Sequence, residues 1–336
     1  MSTPVWDSPR DKAAYGLAVL ACLVFIVLVF FKFVPDLGNG VVQTSTSTLT
    51  SLSLFEDYFM APGSVHHARF LGNYLVDGLA KAISPFVHSS DVRLSPVRLA
   101  ATALTMLWFL VALMPVHLLP GRISWHVYLP VFGLMFMAGQ YVYYPCDAPS
   151  IALLAVSMAL LLREQMLASL GFMLLTGFFR ESSFHMVVMV GIWAMVARHQ
   201  SLQRRAWWLL AFALCFVLEY KLIRVYFPGD PRGLGWYSQV LADPAGLLLG
   251  GGLWSLTTLM TLPLALLFLV ACWVLQRHEA HSWERSLFLW SCLAFPLWLV
   301  FYRVQGGNIS EFRMMWPAML PCVLGLAWRP LSSQPK

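Results

Sequence analysis

Apolar residues in this chain come in long runs broken by short polar connectors. The runs fall at about 13–34, 96–118, 124–142, 148–162, 166–179, 183–197, 206–227, 252–276, 286–302 and 312–328. Crossing a bilayer takes about 20 predominantly apolar residues in a helix. The pattern therefore predicts an all-α, polytopic transmembrane helical bundle of about ten spans, forming one transmembrane domain over 1–336. The first run follows Lys12, exceeds 20 residues and lacks a small-residue cleavage site, so it reads as a retained helix. Residues 70–82 behave differently. Phe70, Leu71, Tyr74, Leu75, Leu79 and Ala82 share a stripe with Gly78, while Asn73, Asp77 and Lys81 recur opposite. That spacing predicts an amphipathic helix over about 68–83 lying in the membrane interface, within a long first outer loop, 36–95. A second connector, 228–251, is turn-rich and then weakly apolar, which suits a re-entrant segment. There is no internal repeat.

Composition narrows the function classes. The chain is 59% hydrophobic and 11% charged, with mean hydropathy +0.69, whereas about a quarter of the residues of a soluble domain are charged. A soluble enzyme, a nucleic-acid binder and a secreted disulfide scaffold are excluded. The pI near 9.1 is read as topology. With the N-terminus inside, Arg10, Lys12, Arg122, Arg163, Arg198, Arg204, Arg205, Arg277, Arg285, Arg329 and Lys336 face the cytoplasm with five acids, net +6, and the outer side is neutral. All six cysteines except Cys146 lie in apolar runs, as small hydrophobes without metal or disulfide spacing.

An ionisable residue at the centre of a membrane helix costs roughly 2.5–3.5 kcal/mol, so its position is informative. The inside N-terminus brings Glu56, Asp57, Asp147, Arg180, Glu181, Glu219, Lys221, Arg224, Arg303, Glu311 and Arg313 to the outer side. Arg180 and Glu181, in GFFRESSFH, are flanked by apolar segments of only about 14 and 15 residues. They are expected below the outer surface at a helix break lining a wet cavity; the alternative is an ion pair that pins two helices. Glu56 and Asp57 stand beside Phe55, Tyr58 and Phe59 as a carboxylate pair at the interface. Adjacent carboxylates repel, so sharing a cation or a substrate hydroxyl is favourable. His66, His67 and Arg69 follow and suit an anionic group, with metal ligation by the histidines as the alternative. Asp147, in QYVYYPCDAPS, either caps the next helix or holds acceptor hydroxyls. In YRVQGGNISEFRMMWP, Arg303 ends one span and Glu311 and Arg313 begin the next, where the arginine offers a planar fork to phosphate or carboxylate.

These residues carry a resemblance to the GT-C class of polytopic glycosyltransferases. The acidic pair Glu56 and Asp57 in a first outer loop, the helix beginning ARFLGNYL, and the many following spans are similar. The chain also resembles a related group of bacterial multi-pass proteins with Tyr-Pro-x-Asp, Arg-Glu-Thr/Ser and Glu-x-Arg patterns, here YPCD at 144–147, RES at 180–182 and EFR at 311–313. The pair lacks the intervening residue of the common Asp-x-Asp form.

The resemblance implies a bacterial inner-membrane enzyme that moves a sugar from a polyprenyl-phosphate donor to an acceptor hydroxyl at the periplasmic face. Its partners would be membrane lipid and the lipid-linked donor, with no nucleic acid. Asp57, with Glu56 as rival, would take the hydroxyl proton. Arg180, Arg313 and Arg69 would stabilise the departing phosphate, Glu181 and Glu311 would orient the arginines, and a divalent cation, Mg or Mn, on Glu56 and Asp57 is optional. Two other readings stay open: a lipid or polysaccharide flippase or transporter, and a non-catalytic subunit of envelope-polymer assembly.

Overall fold

Each apolar run holds one long helix. The computed structural model describes residues 9–28, 51–60, 70–87, 94–120, 122–138, 146–226, 256–277, 282–304 and 312–329. Helix α1 is Pro9–Leu28. A short α2, Leu52–Phe55, runs into a π-helical turn, Glu56–Met60, and α3 is Phe70–Ile83. Then come α4 Pro96–Ala112, α5 Met114–Leu118, α6 Trp125–Ala138, α7 Asp147–Leu162, α8 Met166–Phe179, α9 Phe184–Val196, α10 Leu202–Tyr226, α11 Leu256–Arg277, α12 Trp283–Val304 and α13 Phe312–Ala327. Among the described residues the only extended pairing is an isolated bridge between Ile123 and Trp328, so the fold is all-α.

Among the described residues, three stretches, Pro9–Leu28, Pro96–Leu118 and Leu202–Ile223, are long and apolar enough to cross a membrane unaided. The expectation of ten such spans is not met by length alone. Helices α7, α8 and α9 have 16, 14 and 13 residues, so at 1.5 Å per residue they reach only about 20–24 Å. Helices α1 and α10 present Leu17, Leu20, Leu214, Val217, Leu218 and Leu222 to their surroundings. Such apolar outer faces on long apolar helices mark a helical membrane protein.

Helix α7 is the axis of the bundle. Every residue from Asp147 to Leu162 is buried, as its apolar circumference requires, and it packs on α4, α5, α8, α9 and α13. The turn into α8 closes with Gln165 N–H donating to Leu160 O (2.9 Å) and Glu164 N–H to Leu161 O (2.8 Å). Glu164 takes the left-handed conformation, φ 56°, that usually goes to glycine in this closure. Two serines then tie the hairpin. The Ser157 hydroxyl donates to Ser169 O (2.8 Å) and the Ser169 hydroxyl to Ser157 O (2.9 Å), a short polar clasp between apolar helices.

The ion pairs sort to two ends. Arg122–Glu284 (2.9 Å) joins two residues that the charge pattern assigns inside, and Asp11 and Glu164, also assigned inside, contact His126 (3.1 Å) and His199 (2.5 Å). Lys81–Glu56 (2.7 Å), Lys81–Asp77 (2.9 Å) and Arg180–Asp147 (2.6 Å) join residues assigned outside. The inside-assigned end is also stitched by backbone: Ser124 N–H donates to Ala327 O (2.8 Å) and Arg329 N–H to Arg122 O (2.7 Å).

Candidate functional site

The predicted helix break at Arg180 is present. Arg180 leaves α8 with extended φ −166° and ψ 151°, its N–H still held by Thr176 O at 2.8 Å. A 3₁₀ turn, Glu181–Ser183, then leads into α9. The guanidinium reaches across the hairpin, and its Nη1 donates to Asp147 Oδ1 at 2.6 Å, with the two side chains only 5% and 8% exposed. Asp147 is therefore not the cap of α7. The N-cap is Cys146, which makes no side-chain capping bond, and Asp147 sits in the first turn, where the helix dipole favours an acid. The Cys146 thiol donates to Asp147 Oδ1 (3.5 Å), and Ser150 Oγ donates to Asp147 O (2.8 Å). Asp147 thus holds the Arg180 guanidinium; the side chain of Glu181, expected to orient this arginine, lies outside the described residues.

Other polar groups surround this pair. The Ser182 and Ser183 hydroxyls are buried without a hydrogen-bond partner among the described residues, and His185 Nδ1 donates to Ser182 O at 3.0 Å. Glu219 reaches in from α10. It is 5% exposed, although Leu218 beside it is 60% exposed. Its carboxylate lies against Gly177, where an added Cβ would overlap both oxygens, and neither oxygen has a hydrogen-bond partner among the described residues. The sequence placed Glu219 on the outer side but gave it no role; its one signal was an acid near the end of an apolar run.

A second polar cluster lies between α2 and α4. Ser51 starts α2 by accepting Leu54 N–H (3.3 Å), and the chain widens into the π-helical turn that carries Glu56 and Asp57. The two do not act as a pair. Asp57 is exposed, and Glu56 is joined through Lys81 to Asp77, with Nζ at 2.7 Å from Glu56 Oε1 and 2.9 Å from Asp77 Oδ2. The Lys81 hydrogen bond holds the Glu56 carboxyl below the usual glutamate range. Hydrogen bonds to Glu56 and then Asp77 push the Lys81 ammonium up.

Helix α3 explains why Asp77 is there. Its polar stripe turns inward, burying Asn73 and Asp77 with Gly72, Val76 and Ala80, and α3 packs along α4, which buries Arg98, Thr102 and Thr105. The apolar stripe turns outward, with Tyr74 50% exposed, as suits a helix bordered by lipid. The first turn of α3 meets the end of α8, Phe70 edge-on to Phe178 at 5.9 Å, and Trp108 of α4 is edge-on to Phe179 at 5.3 Å. Asp77 is seven residues beyond Phe70, about 10 Å along the helix. The two clusters are thus neighbours at one end of the bundle.

A divalent cation on Glu56 and Asp57 does not fit this arrangement, because the Lys81 ammonium already occupies the space beside Glu56. Among the described residues no group of three His, Cys, Asp or Glu is placed to hold a metal ion. His66, His67, Arg69 and Glu311 lie outside the described residues. Arg303 is in the last turn of α12 and Arg313 in the first turn of α13; their side chains are likewise outside. Helix α13 ends beside Ser124. Arg163, following α7, donates to Leu118 O (3.3 Å) near that same end. The start of α13 with Arg313 therefore lies at the end of the bundle that carries Asp147.

Compared with known proteins, the chain matches no family model, no curated protein and no solved structure.

Proposed function

We propose that this chain is a bacterial inner-membrane glycosyltransferase of about ten spans with its N-terminus in the cytoplasm. It would move a sugar from a polyprenyl-phosphate-linked donor to an acceptor hydroxyl at the periplasmic end of the bundle. The observation that carries this reading is the buried Arg180–Asp147 pair at the ends of helices too short to cross. With their other ends at the cytoplasmic surface, α7 and α8 stop roughly 6–10 Å short of a 30 Å hydrocarbon core. A guanidinium held there by a carboxylate is a preorganised, poorly hydrated cation for a departing phosphate, and the start of α13, which carries Arg313, lies at the same end. Proton acceptance falls to Asp57, exposed on the π-helical turn. Glu56, the rival, is stabilised as an anion by Lys81, which makes it the weaker base.

Full-length protein in nanodiscs, given labelled polyprenyl-phosphate sugars and membrane acceptors, tests the reading. Wild type should transfer label, and Arg180→Ala and Asp57→Asn should lose transfer. Full activity in both variants would end the assignment, and no turnover by wild type on any donor favours the non-catalytic subunit. Transport remains the second reading because of Glu219, an acid buried without a hydrogen-bond partner among the described residues and next to exposed apolar Leu218, the kind of residue that lines substrate paths. Movement of labelled lipid between leaflets, lost in Glu219→Gln, would favour it.

A further inference from the structure

We infer that Lys81 is the resident cation of the Glu56–Asp77 site, standing where a divalent ion would otherwise bridge the two carboxylates. Its Nζ contacts one oxygen from each, at 2.7 and 2.9 Å. An ammonium is a compact point charge with three donors, and of the basic side chains it comes nearest to a small hard cation. The chain supplies it in place, because Asp77 and Lys81 are four residues apart on α3 and share a face. The acids come from different elements, Glu56 from the π-helical turn and Asp77 from α3, so the cation is also what joins these two segments.

A second observation makes the site more than a surface ion pair. Asp77 is nine-tenths buried, and its other oxygen, Oδ1, has no hydrogen-bond partner among the described residues. Removing the ammonium leaves a buried carboxylate with unused acceptor capacity facing a second carboxylate, a set of hard oxygens that suits a divalent ion. Among the described residues, the other charged groups on the packed elements are Asp57 on the turn, which adds an acid, and Arg98 on α4, a second cation. The intact site, with its positive charge built in, has no vacancy for metal.

The test reads metal binding and not turnover, so its failure is separable from failure of the transferase reading. Mn²⁺ is titrated into full-length protein in zwitterionic nanodiscs, and free Mn²⁺ is followed by electron paramagnetic resonance. Lys81→Met keeps the apolar stem and should bind Mn²⁺ at least ten-fold more tightly than wild type. Adding Asp77→Asn should abolish that gain, and Lys81→Arg should stay at the wild-type level. Wild type binding as tightly as Lys81→Met, or Lys81→Met binding no more tightly than wild type, overturns the inference. Wild type alone gives a second check that needs no variant to fold. Reductive methylation followed by mass spectrometry should modify Lys81 several-fold more slowly than Lys12, because an ammonium held by two carboxylates seldom offers a free amine. Equal rates overturn the inference as well.

Discussion

Two ion-paired centres sit at the same end of this molecule, and they differ in how much water each keeps. The Arg180–Asp147 pair is closed off, with 5% and 8% of its side chains exposed. In the Lys81 bridge, Lys81 is 52% and Glu56 40% exposed, and only Asp77 is buried. The charges are alike, but the medium assigns them different work. In the dry pair, loss of either charge takes a buried, charge-assisted contact from the other, so the pair helps to hold the open end of the α7–α8 hairpin. In the wet bridge solvent screens each contact, so the lysine decides which segments and which cations meet while contributing little to stability.

The largest expected effect follows from the dry pair. Arg180→Ala should cost about 3–5 kcal/mol, because removing one member of a buried ion pair takes from Asp147 its short charge-assisted contact in a medium of little water. Thermal unfolding in detergent reads the loss, and Arg180→Met combined with Asp147→Leu should recover most of it. A loss no larger than that of Lys81→Met would erase the distinction between the two centres. Next comes the contact between Gly177 on α8 and Glu219 on α10. Gly177→Ala drives a methyl group into the Glu219 carboxylate and should cost roughly 1–3 kcal/mol, with most of that cost disappearing in a Glu219→Ala background. The same scan reads both. Smaller again is the serine clasp below. Ser157→Ala should cost about 0.6 kcal/mol, seen as a slight fall in unfolding temperature.

The wet bridge should give the smallest effect, visible only in its pH dependence. Glu56 is depressed from its ordinary 4.5 by Lys81. Its stabilisation is therefore complete above that ordinary value and fades as pH falls through the lower folded value. Raised Lys81 works the other way, its contribution persisting until pH climbs beyond the ordinary lysine range. Unfolding temperature should thus be flat near neutrality, with an acid-side drop that Lys81→Met removes. An acid limb unchanged in that variant would detach Glu56 from the bridge.

Much of the architecture was legible in the residues. Each apolar run holds a helix, though among the described residues three stretches are long and apolar enough to cross a membrane, and the break at Arg180 falls where two short runs meet. These features are local or compositional: a run of apolar side chains makes a helix wherever backbone polar groups cannot reach water, and charges stay at helix ends. The helix at Phe70 to Ile83 was legible too, although the fate of its polar stripe was not, since a stripe of Asn73, Asp77 and Lys81 suits water as well as a polar neighbour.

Partner choice required the tertiary structure. Adjacency suggested Glu56 with Asp57, yet neighbours on a helix point in different directions. Packing α3 against the π-helical turn brought Asp77 to Glu56 through Lys81, and the α7–α8 hairpin brought Asp147 to Arg180 across 33 positions. Glu219 met Gly177 for the same reason, because one glycine leaves a gap only where another helix can fill it. Composition and period thus determined which segments are helical and at which end their charges collect. Which charges neutralise one another was decided by helix packing, because electrostatic pairing depends on distance through space and on how much water packing leaves between the groups.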